Sequence, residues 1–248
     1  MKLKKIFALA ILLPAALALA QSDSISIGAF SAAKPGATLP EQWQPLAVSS
    51  AKNLTRYTLV DDDGITVLRA EANASASGVT RRMTINPAQY PLLKWRWKAS
   101  NIVKAGDVRT REGDDYPARI YVMFDYPLEK LRFSERMKIQ LARTLHDPNL
   151  PAATICYVWD AKAAVGTIVP SSYTDRVRMV VVESGAARVN RWLAFERNVA
   201  TDFRAAFGED APPIAAIAVV TDTDNTGESV TAYYGCGRRS EDVGILPV

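Results

Sequence analysis

The chain has 248 residues, 48% of them hydrophobic, and a formal net charge of +4. This length and apolar content suffice for one large β domain or two small ones, without support from a metal or disulfides. The charge does not indicate a nucleic-acid partner. Lys2, Lys4 and Lys5 are three of the 30 Lys and Arg residues, and without them 27 cations face 26 acids. The remaining cations are scattered and form no basic tract.

Residues 1–20 have the organisation of a cleavable secretory signal. The three lysines are followed by the apolar run Ile6 to Leu12 and by small residues up to Ala20, after which the chain is polar. The apolar run is interrupted by Pro14 and is shorter than the roughly 20 residues that a membrane-spanning helix needs. No cysteine follows it for lipid attachment. We therefore expect cleavage near Ala20 and a mature protein in the periplasm or secreted, without a transmembrane anchor.

Residues 21–45 are expected to form an extended lead-in, because Ser24 to Pro45 is rich in Ser, Ala, Gly and Pro and predicts at most one short strand. Residues 46–248 are predicted to form a single all-β domain. Turn signals separate ten short runs rich in Val, Ile, Thr, Tyr and Trp. This spacing predicts an antiparallel β-sandwich of jelly-roll type. The ten runs are Leu54 to Val60, Ile65 to Ala72, Val79 to Ile85, Leu92 to Ala99, Arg119 to Asp125, Thr154 to Asp160, Val177 to Glu183, Trp192 to Val199, Ile214 to Val220 and Val230 to Cys236.

Two segments interrupt the β pattern. Residues 128–146 have apolar side chains at roughly helical spacing among Glu, Lys and Arg, which predicts one helical insertion that ends at Asp147 and Pro148. Residues 202–207 predict a short helical turn, with Asp202 near its start and Gly208 as its stop.

The usual catalytic signatures are missing from the sequence. The single histidine, His146, provides at most one member of a histidine-based triad or of a zinc site with several imidazoles. We expect it to act as a positive charge at a helix C-terminus. There is no phosphate-binding loop, dinucleotide-binding turn or serine-hydrolase elbow.

Two aromatic strands offer a surface for sugar. Trp95 and Trp97 alternate with Lys94, Arg96 and Lys98, so one face of this strand is aromatic and the other cationic. Tyr157 and Trp159 repeat the arrangement on another strand. The indoles belong to the sandwich core on one hypothesis and to a sugar-stacking platform on the other, and the second requires at least one exposed indole.

Acidic residues lie in two loops. Asp114 and Asp115 end a polar loop, and Arg119 and Tyr121 begin the next strand. This pattern suits an ion pair at a sheet end, or alternatively the binding of a hard cation or of sugar hydroxyls.

The second acidic segment, Thr221 to Gly227, places Asp222, Asp224 and Asn225 between two β-type runs and resembles the start of a calcium loop. Its twelfth position is Tyr233 instead of a bidentate Glu, so a hairpin turn with Gly227 at positive φ is the preferred interpretation. We therefore expect no cofactor, with a non-helical calcium site as the alternative.

The two cysteines, Cys156 and Cys236, allow two interpretations. An oxidising compartment permits a disulfide between them if their strands lie adjacent, and two buried free thiols are the alternative.

Several of these stretches together resemble a known family. They are Trp95-x-Trp97, the segment from Gly113-Asp114-Asp115 to Tyr121-Val122, Tyr157-Val158-Trp159, the turn from Asp202 to Gly208, and Thr221 to Thr226. The chain resembles the secreted bacterial proteins of domain-of-unknown-function family 3047 over roughly residues 30–234. The resemblance implies one envelope domain and brings no activity with it. Cys236 falls where the family has an ordinary polar or acidic residue, so a disulfide would be particular to this sequence.

We therefore expect a ligand-binding β-sandwich without catalytic activity, whose ligand is a carbohydrate or another glycan of the cell envelope. One alternative is an envelope glycan hydrolase, with Asp114 or Asp115 and Asp222 or Asp224 as its paired carboxylates. Another is an assembly factor that recognises an envelope protein through an exposed sheet edge.

Overall fold

The computed structural model describes residues 24–47, 52–145, 148, 150–235 and 243–247. Within these residues two seven-stranded sheets are present, and their facing sides enclose the main core. The first sheet, here sheet I, contains β1 (Ile25–Gly28), β3 (Arg56–Asp62), β4 (Ile65–Asn73), β6 (Leu92–Ala99), β11 (Leu193–Asn198), β13 (Ser229–Gly235) and β14 (Val243–Leu246). Sheet II contains β2 (Trp43–Ala47), β5 (Ala76–Ile85), β7 (Arg119–Phe124), β8 (Ala153–Asp160), β9 (Ile168–Ser171), β10 (Thr174–Ser184) and β12 (Ile214–Asp222).

The strand order confirms the predicted sandwich of jelly-roll type. Sheet I runs β1-β14-β6-β13-β4-β3, with β11 also paired to β6, and sheet II runs β2-β5-β12-β7-β8-β10-β9. One pair departs from the antiparallel rule, because β10 lies parallel to β8. The chain leaves β8, forms the hairpin β9–β10, and inserts β10 between β8 and β9, which gives β10 the direction of β8.

The predicted lead-in is part of the sandwich. β1 pairs with β14, and β2, which begins before residue 45, pairs with β5. Both were hard to recognise because they are short edge elements, and β2 contains Pro45. Proline is tolerated in an edge strand, where its missing N–H is not needed for a second ladder.

The indoles of β6 belong to the core. Trp95 is 4% exposed and Trp97 is completely buried. The Trp95 ring stacks on Tyr157 of sheet II at 5.1 Å and on Phe195 of β11 at 5.3 Å between ring centroids. Trp159 is also completely buried. The exposed indole that a sugar platform requires is therefore absent at these three positions, and that prediction is wrong because the aromatic face of β6 is the one that sheet II covers.

Two α-helices of the described residues lie outside the sheets. The predicted insertion divides into a 3-10 turn, Leu128–Lys130, and the helix α1, Phe133–Leu145. The second helix, α2, runs from Val199 to Phe207 and is longer than the predicted turn. None of the helices in the described part of the chain is long and apolar enough to cross a bilayer.

Asn198, the last residue of β11 and four positions before the expected Asp202, caps α2. Its side chain accepts a hydrogen bond from the backbone N–H of Thr201, and Gly208 ends the helix with φ 78°, as the sequence predicts. Asp202 instead lies buried and accepts hydrogen bonds from the Tyr157 hydroxyl (2.7 Å) and the Arg197 guanidinium. It thus ties α2 to both sheets. His146 and Asp147 lie outside the described residues.

Candidate functional site

Polar residues from two distant parts of the chain meet at one end of sheet II. Arg119 begins β7 and Asp222 ends β12. These strands are antiparallel neighbours in which Arg119 lies opposite Val220, so the start of one strand adjoins the end of the other. Asp114 belongs to the loop before β7, and Asp224 follows β12. The structure therefore brings together the two acidic segments that are more than 100 positions apart in the sequence.

Arg119 is the centre of this cluster. It is 4% exposed and forms ion pairs with Asp222, which is 1% exposed, and with Asp114, at 3.5 Å from Nη1 to Oδ1. Its guanidinium carbon lies 5.1 Å from the ring centroid of Tyr116 and 5.3 Å from that of Tyr121. Asp222 also accepts a hydrogen bond from the Tyr116 backbone N–H at 3.2 Å. The buried cation is thus neutralised by carboxylates and covered by rings.

Asp115 holds the turn after β12. It is 1% exposed, and its Oδ2 accepts a hydrogen bond from the Thr226 backbone N–H at 2.6 Å. The Asn225 side chain donates to the Asp114 carbonyl at 3.3 Å. Gly227 has φ 71°, as the hairpin interpretation requires, and donates its N–H to the Thr223 carbonyl. The two loops are thereby locked to each other.

The cluster carries more acid than base. Asp114, Asp115, Asp222 and Asp224 face two cations, Arg119 and the exposed Lys52, which pairs with Asp224. Burial raises the pKa of Asp114, and the neighbouring carboxylates of Asp115 and Asp224 raise it further, while Arg119 opposes both effects. Asp114 therefore takes up a proton more readily than an ordinary aspartate side chain does.

The pKa of Asp114 predicts a pH dependence of stability. A carboxyl whose pKa is higher in the folded than in the unfolded chain binds more protons when folded. Its contribution to the free energy of unfolding therefore falls as the pH rises from the unfolded through the folded pKa. We expect Asp114→Asn, which does not titrate, to gain stability relative to the unmodified protein as the pH rises from about 4 toward neutrality. Urea denaturation measures this difference, with the exposed Asp175→Asn as control. If the stability of Asp114→Asn relative to the unmodified protein fell as the pH rose, the raised pKa of Asp114 would be contradicted.

Three of the acids have the proximity that a cation site needs. Asp115, Asp222 and Asp224 each place a carboxylate oxygen within 4.8 Å of the other two. Oxygen ligands of this kind suit calcium. However, Asp222 already pairs with Arg119, and Asp224 with Lys52, so a cation would compete with two side-chain charges. Tyr233, at the twelfth position of the loop, lies in β13 opposite Arg69. A non-helical calcium site therefore stays the alternative to the preferred hairpin turn.

A cleft of about 540 Å³ extends from the acidic cluster across the outer face of sheet II. Arg119, Tyr121 and Met123 follow one another on this face of β7, so they mark a path of about 13 Å along the strand. The path ends near Ile139 of α1. The lining residues are Leu46, Ala47, Lys52, Asp114, Arg119, Tyr121, Met123, Ile139, Leu150, Pro151, Thr154, Ser171, Tyr173, Thr174, Arg176, Val177, Met179, Val220, Asp222, Asp224 and Asn225. The cleft is thus acidic at one end and mainly apolar along the rest.

Several residues that line the cleft were not predicted from the sequence. Lys52 precedes β3, and Tyr173, which is 51% exposed, lies in the turn between β9 and β10. Met123 was detectable, because the alternation of β7 places it on the same face as Arg119 and Tyr121. Lys52 and Tyr173 carried no local signal, since only the packing of the sheet brings their segments to the cleft.

Of the aromatic residues singled out from the sequence, Tyr121 lines the cleft and the others do not. Trp95, Trp97, Tyr157 and Trp159 lie between the sheets. Among the described residues, the rings that the cleft offers belong to Tyr121, half-buried, and Tyr173.

Three other acids lie outside the cleft lining. Asp160 is completely buried and accepts hydrogen bonds from the backbone N–H groups of Val108 (2.8 Å), Lys162 and Ala163. It thereby fastens the polar loop over the outer face of sheet II. Glu183 is paired with Arg188. The third, Asp125, lies exposed after β7 and outside the cleft lining.

Cys156 lies buried in β8 under the cleft. Burial raises the pKa of its thiol to about 12, so the thiol stays protonated at neutral pH. Cys236 lies outside the described residues, and the disulfide between them stays a prediction.

Comparison with known proteins gives a family and two weak structural matches. One matching structure is a loop-swap mutant of Xyn11A from Neocallimastix patriciarum, with a TM-score of 0.36 and 10% identity over 86% of this chain and 94% of that one. The family 11 xylanase of the same organism matches with a TM-score of 0.31 and 9% identity over 90% of this chain and 94% of that one. No curated protein matches. The family model described as "Protein of unknown function (DUF3047)" matches residues 41–236, which is most of the chain, and the chain therefore belongs to the DUF3047 family.

Proposed function

We propose that the protein binds one amphiphilic molecule of the cell envelope without transforming it. The ligand has a head rich in hydroxyl or amine groups at the acidic end of the cleft and an apolar body that extends toward α1. The observation that carries this proposal is the division of one continuous cleft into an acidic end and an apolar remainder. Ligand sites commonly combine a mainly apolar lining with a few convergent polar groups.

The acidic end of the cleft favours ligand groups that donate hydrogen bonds over anionic groups. Asp114 and Asp224 are hydrogen-bond acceptors when ionised, whereas the nearby cations Arg119 and Lys52 are already paired with acids of the cluster. Sugar hydroxyls and amines donate to carboxylates, and the rings of Tyr121 and Tyr173 give apolar faces on which a sugar can pack. A saccharide head therefore fits this end.

The remainder of the cleft favours an apolar extension. Met123, Met179 and Val177 lie along it, and Ile139 and Leu150 end it beside α1. Methionine side chains adapt to ligands of irregular shape. An oligosaccharide without an apolar part would leave this surface in contact with water. We thus narrow the predicted glycan to a glycoconjugate with an apolar tail, which the expected export of the mature chain would allow the protein to meet.

Hydrolysis of a glycosidic bond is the second candidate. The raised pKa of Asp114 suits a general acid, and the ion pair with Arg119 suits an ionised partner at Asp222. Yet Asp222 is 1% exposed and its oxygens already accept from Arg119 and the Tyr116 backbone. A nucleophile or base needs a free, accessible oxygen, so the geometry supports binding better than turnover.

A thermal-shift titration tests the proposal. The protein from Gln21 onward is mixed with octyl β-glucoside below its micelle concentration, and separately with glucose and with octanol. We expect the glucoside to raise the melting temperature more than either part alone, since a ligand of the folded state stabilises it by about 2.7 kcal/mol at 100 times its Kd.

Variants locate the site. Met123→Glu places a charge in the apolar part of the cleft, and Asp224→Asn removes a hydrogen-bond acceptor from the acidic end. Each variant should need about ten times more glucoside than the unmodified protein for the same rise in melting temperature. Val165→Glu is the matched control, because Val165 is 60% exposed and outside the cleft lining. An equal shift with all variants would contradict the proposed site. Release of p-nitrophenol from a p-nitrophenyl glycoside, lost in Asp114→Asn, would establish the hydrolase instead.

A further inference from the structure

Helix α1 turns apolar side chains toward solvent. Phe133 is 70% exposed, Met137 48% and Leu141 60%. A spacing of four residues places them on one face of the helix. Ile139, on another face, is 8% exposed and packs against the core. The helix therefore uses one side to hold the fold and leaves a second apolar strip uncovered.

Cations border this strip. Residues 128–145 contain five Lys and Arg residues against Glu129 and Glu135, which gives a net charge of +3. At 100° per residue, Arg136 and Lys138 lie on opposite sides of the strip. The Arg136 guanidinium carbon lies 5.7 Å from the ring centroid of Phe133. An apolar strip flanked by basic residues is typical of helices that lie in the surface of an anionic membrane.

We propose that α1 docks on an anionic lipid bilayer, with Phe133, Met137 and Leu141 inserted among the acyl chains and Arg136 and Lys138 at the headgroups. A protein partner would fit less well, because the cores of protein interfaces are depleted in lysine, while this strip is one helix wide and has cations along both sides. Anionic headgroups attract each such cation at the membrane surface.

Docking through α1 would bring the bilayer close to the cleft. Ile139 of this helix lines the apolar end of the cleft, with Leu150 and Pro151 beside it. A bilayer in contact with the exposed strip would therefore lie close to that end of the cleft. The docking surface is nevertheless independent of the ligand proposal, since it rests on side chains that do not line the cleft.

Sedimentation with vesicles tests the docking. The protein from Gln21 onward is mixed with vesicles of phosphatidylcholine, with and without phosphatidylglycerol. We expect strong binding only to the anionic vesicles, weakened at least about tenfold by the triple substitution Phe133→Ser, Met137→Ser, Leu141→Ser. Arg136→Gln with Lys138→Gln should weaken it about thirtyfold, because each of these two cations near the surface contributes about 1 kcal/mol. Leu54→Ser with Val165→Ser is the control, since these side chains are 65% and 60% exposed away from α1.

Three results would overturn the docking. The first is no sedimentation with either vesicle, and the second is equal sedimentation of the triple variant. The third is a loss of self-association in the triple variant by analytical ultracentrifugation, without vesicle binding, which would make the strip an interface between protein chains. Met123→Glu separates the two proposals, because it should weaken the glucoside effect and leave vesicle binding unchanged. Urea denaturation of each variant verifies that the fold is retained.

Discussion

Replacing Arg119 with methionine is expected to lower the free energy of unfolding by about 3–5 kcal/mol. Arg119 is 4% exposed, and its removal leaves the carboxylate of Asp222, 1% exposed, without its ion-pair partner. A buried charge that loses its partner retains the full cost of its desolvation, and Asp114 nearby adds a second acid to the uncompensated group. Urea denaturation at neutral pH measures the loss.

The double substitution Arg119→Met with Asp222→Asn distinguishes charge from packing. Removing both charges should recover part of the lost stability, because no ionised Asp222 is then left unpaired. A double variant as unstable as the sum of the two single variants would mean that the methylene packing of Arg119 against Tyr116 and Tyr121 matters more than its charge. The result decides whether the acidic end of the cleft is held together mainly by electrostatics.

Replacing Trp97 with alanine is expected to cost about 3–5 kcal/mol of the free energy of unfolding. Its ring is completely buried and contacts Trp95 at 5.6 Å and Phe195 at 5.1 Å between centroids. The substitution removes this apolar area from the core and leaves a cavity that a sandwich packed between two sheets closes only partly. Chemical denaturation followed by circular dichroism gives the value.

Trp192 provides the matched comparison for this prediction. It is only half-buried, and its indole donates a hydrogen bond to Asp62 at 2.7 Å near the rim of sheet I. We therefore expect Trp192→Ala to cost less than Trp97→Ala. If Trp97→Ala kept the stability and weakened the binding of sugar, the platform hypothesis rejected from the burial of this indole would stand again.

The fold was largely predictable from local patterns. Alternating β-type runs between turn residues predicted a sandwich, and the spacing of residues 128–146 predicted the one longer helix. Gly208 and Gly227 were located as residues with positive φ, because a helix end and a tight turn impose that conformation locally. Such features depend on residues a few positions apart, so the sequence contains them directly.

Other features depended on pairing between distant segments. Alternation showed that the two faces of β6 differ, but only the opposing sheet determined that Trp95 and Trp97 face inward. The parallel position of β10 beside β8 and the addition of β1 and β2 to the sheets also follow from non-local pairing, which a short stretch does not encode.

The candidate site shows the same division. By itself, the sequence determined which residues carry useful chemistry, namely Asp114, Asp115, Arg119, Asp222 and Asp224, in two separate loops. Only the tertiary structure decided that they form one cluster, because the antiparallel pairing of β7 with β12 brings the loops together. It also decided that this cluster ends an otherwise apolar cleft and that α1 leaves an apolar strip uncovered beside it. Composition and spacing describe which side chains are available, whereas burial and proximity arise from the packing of the whole chain.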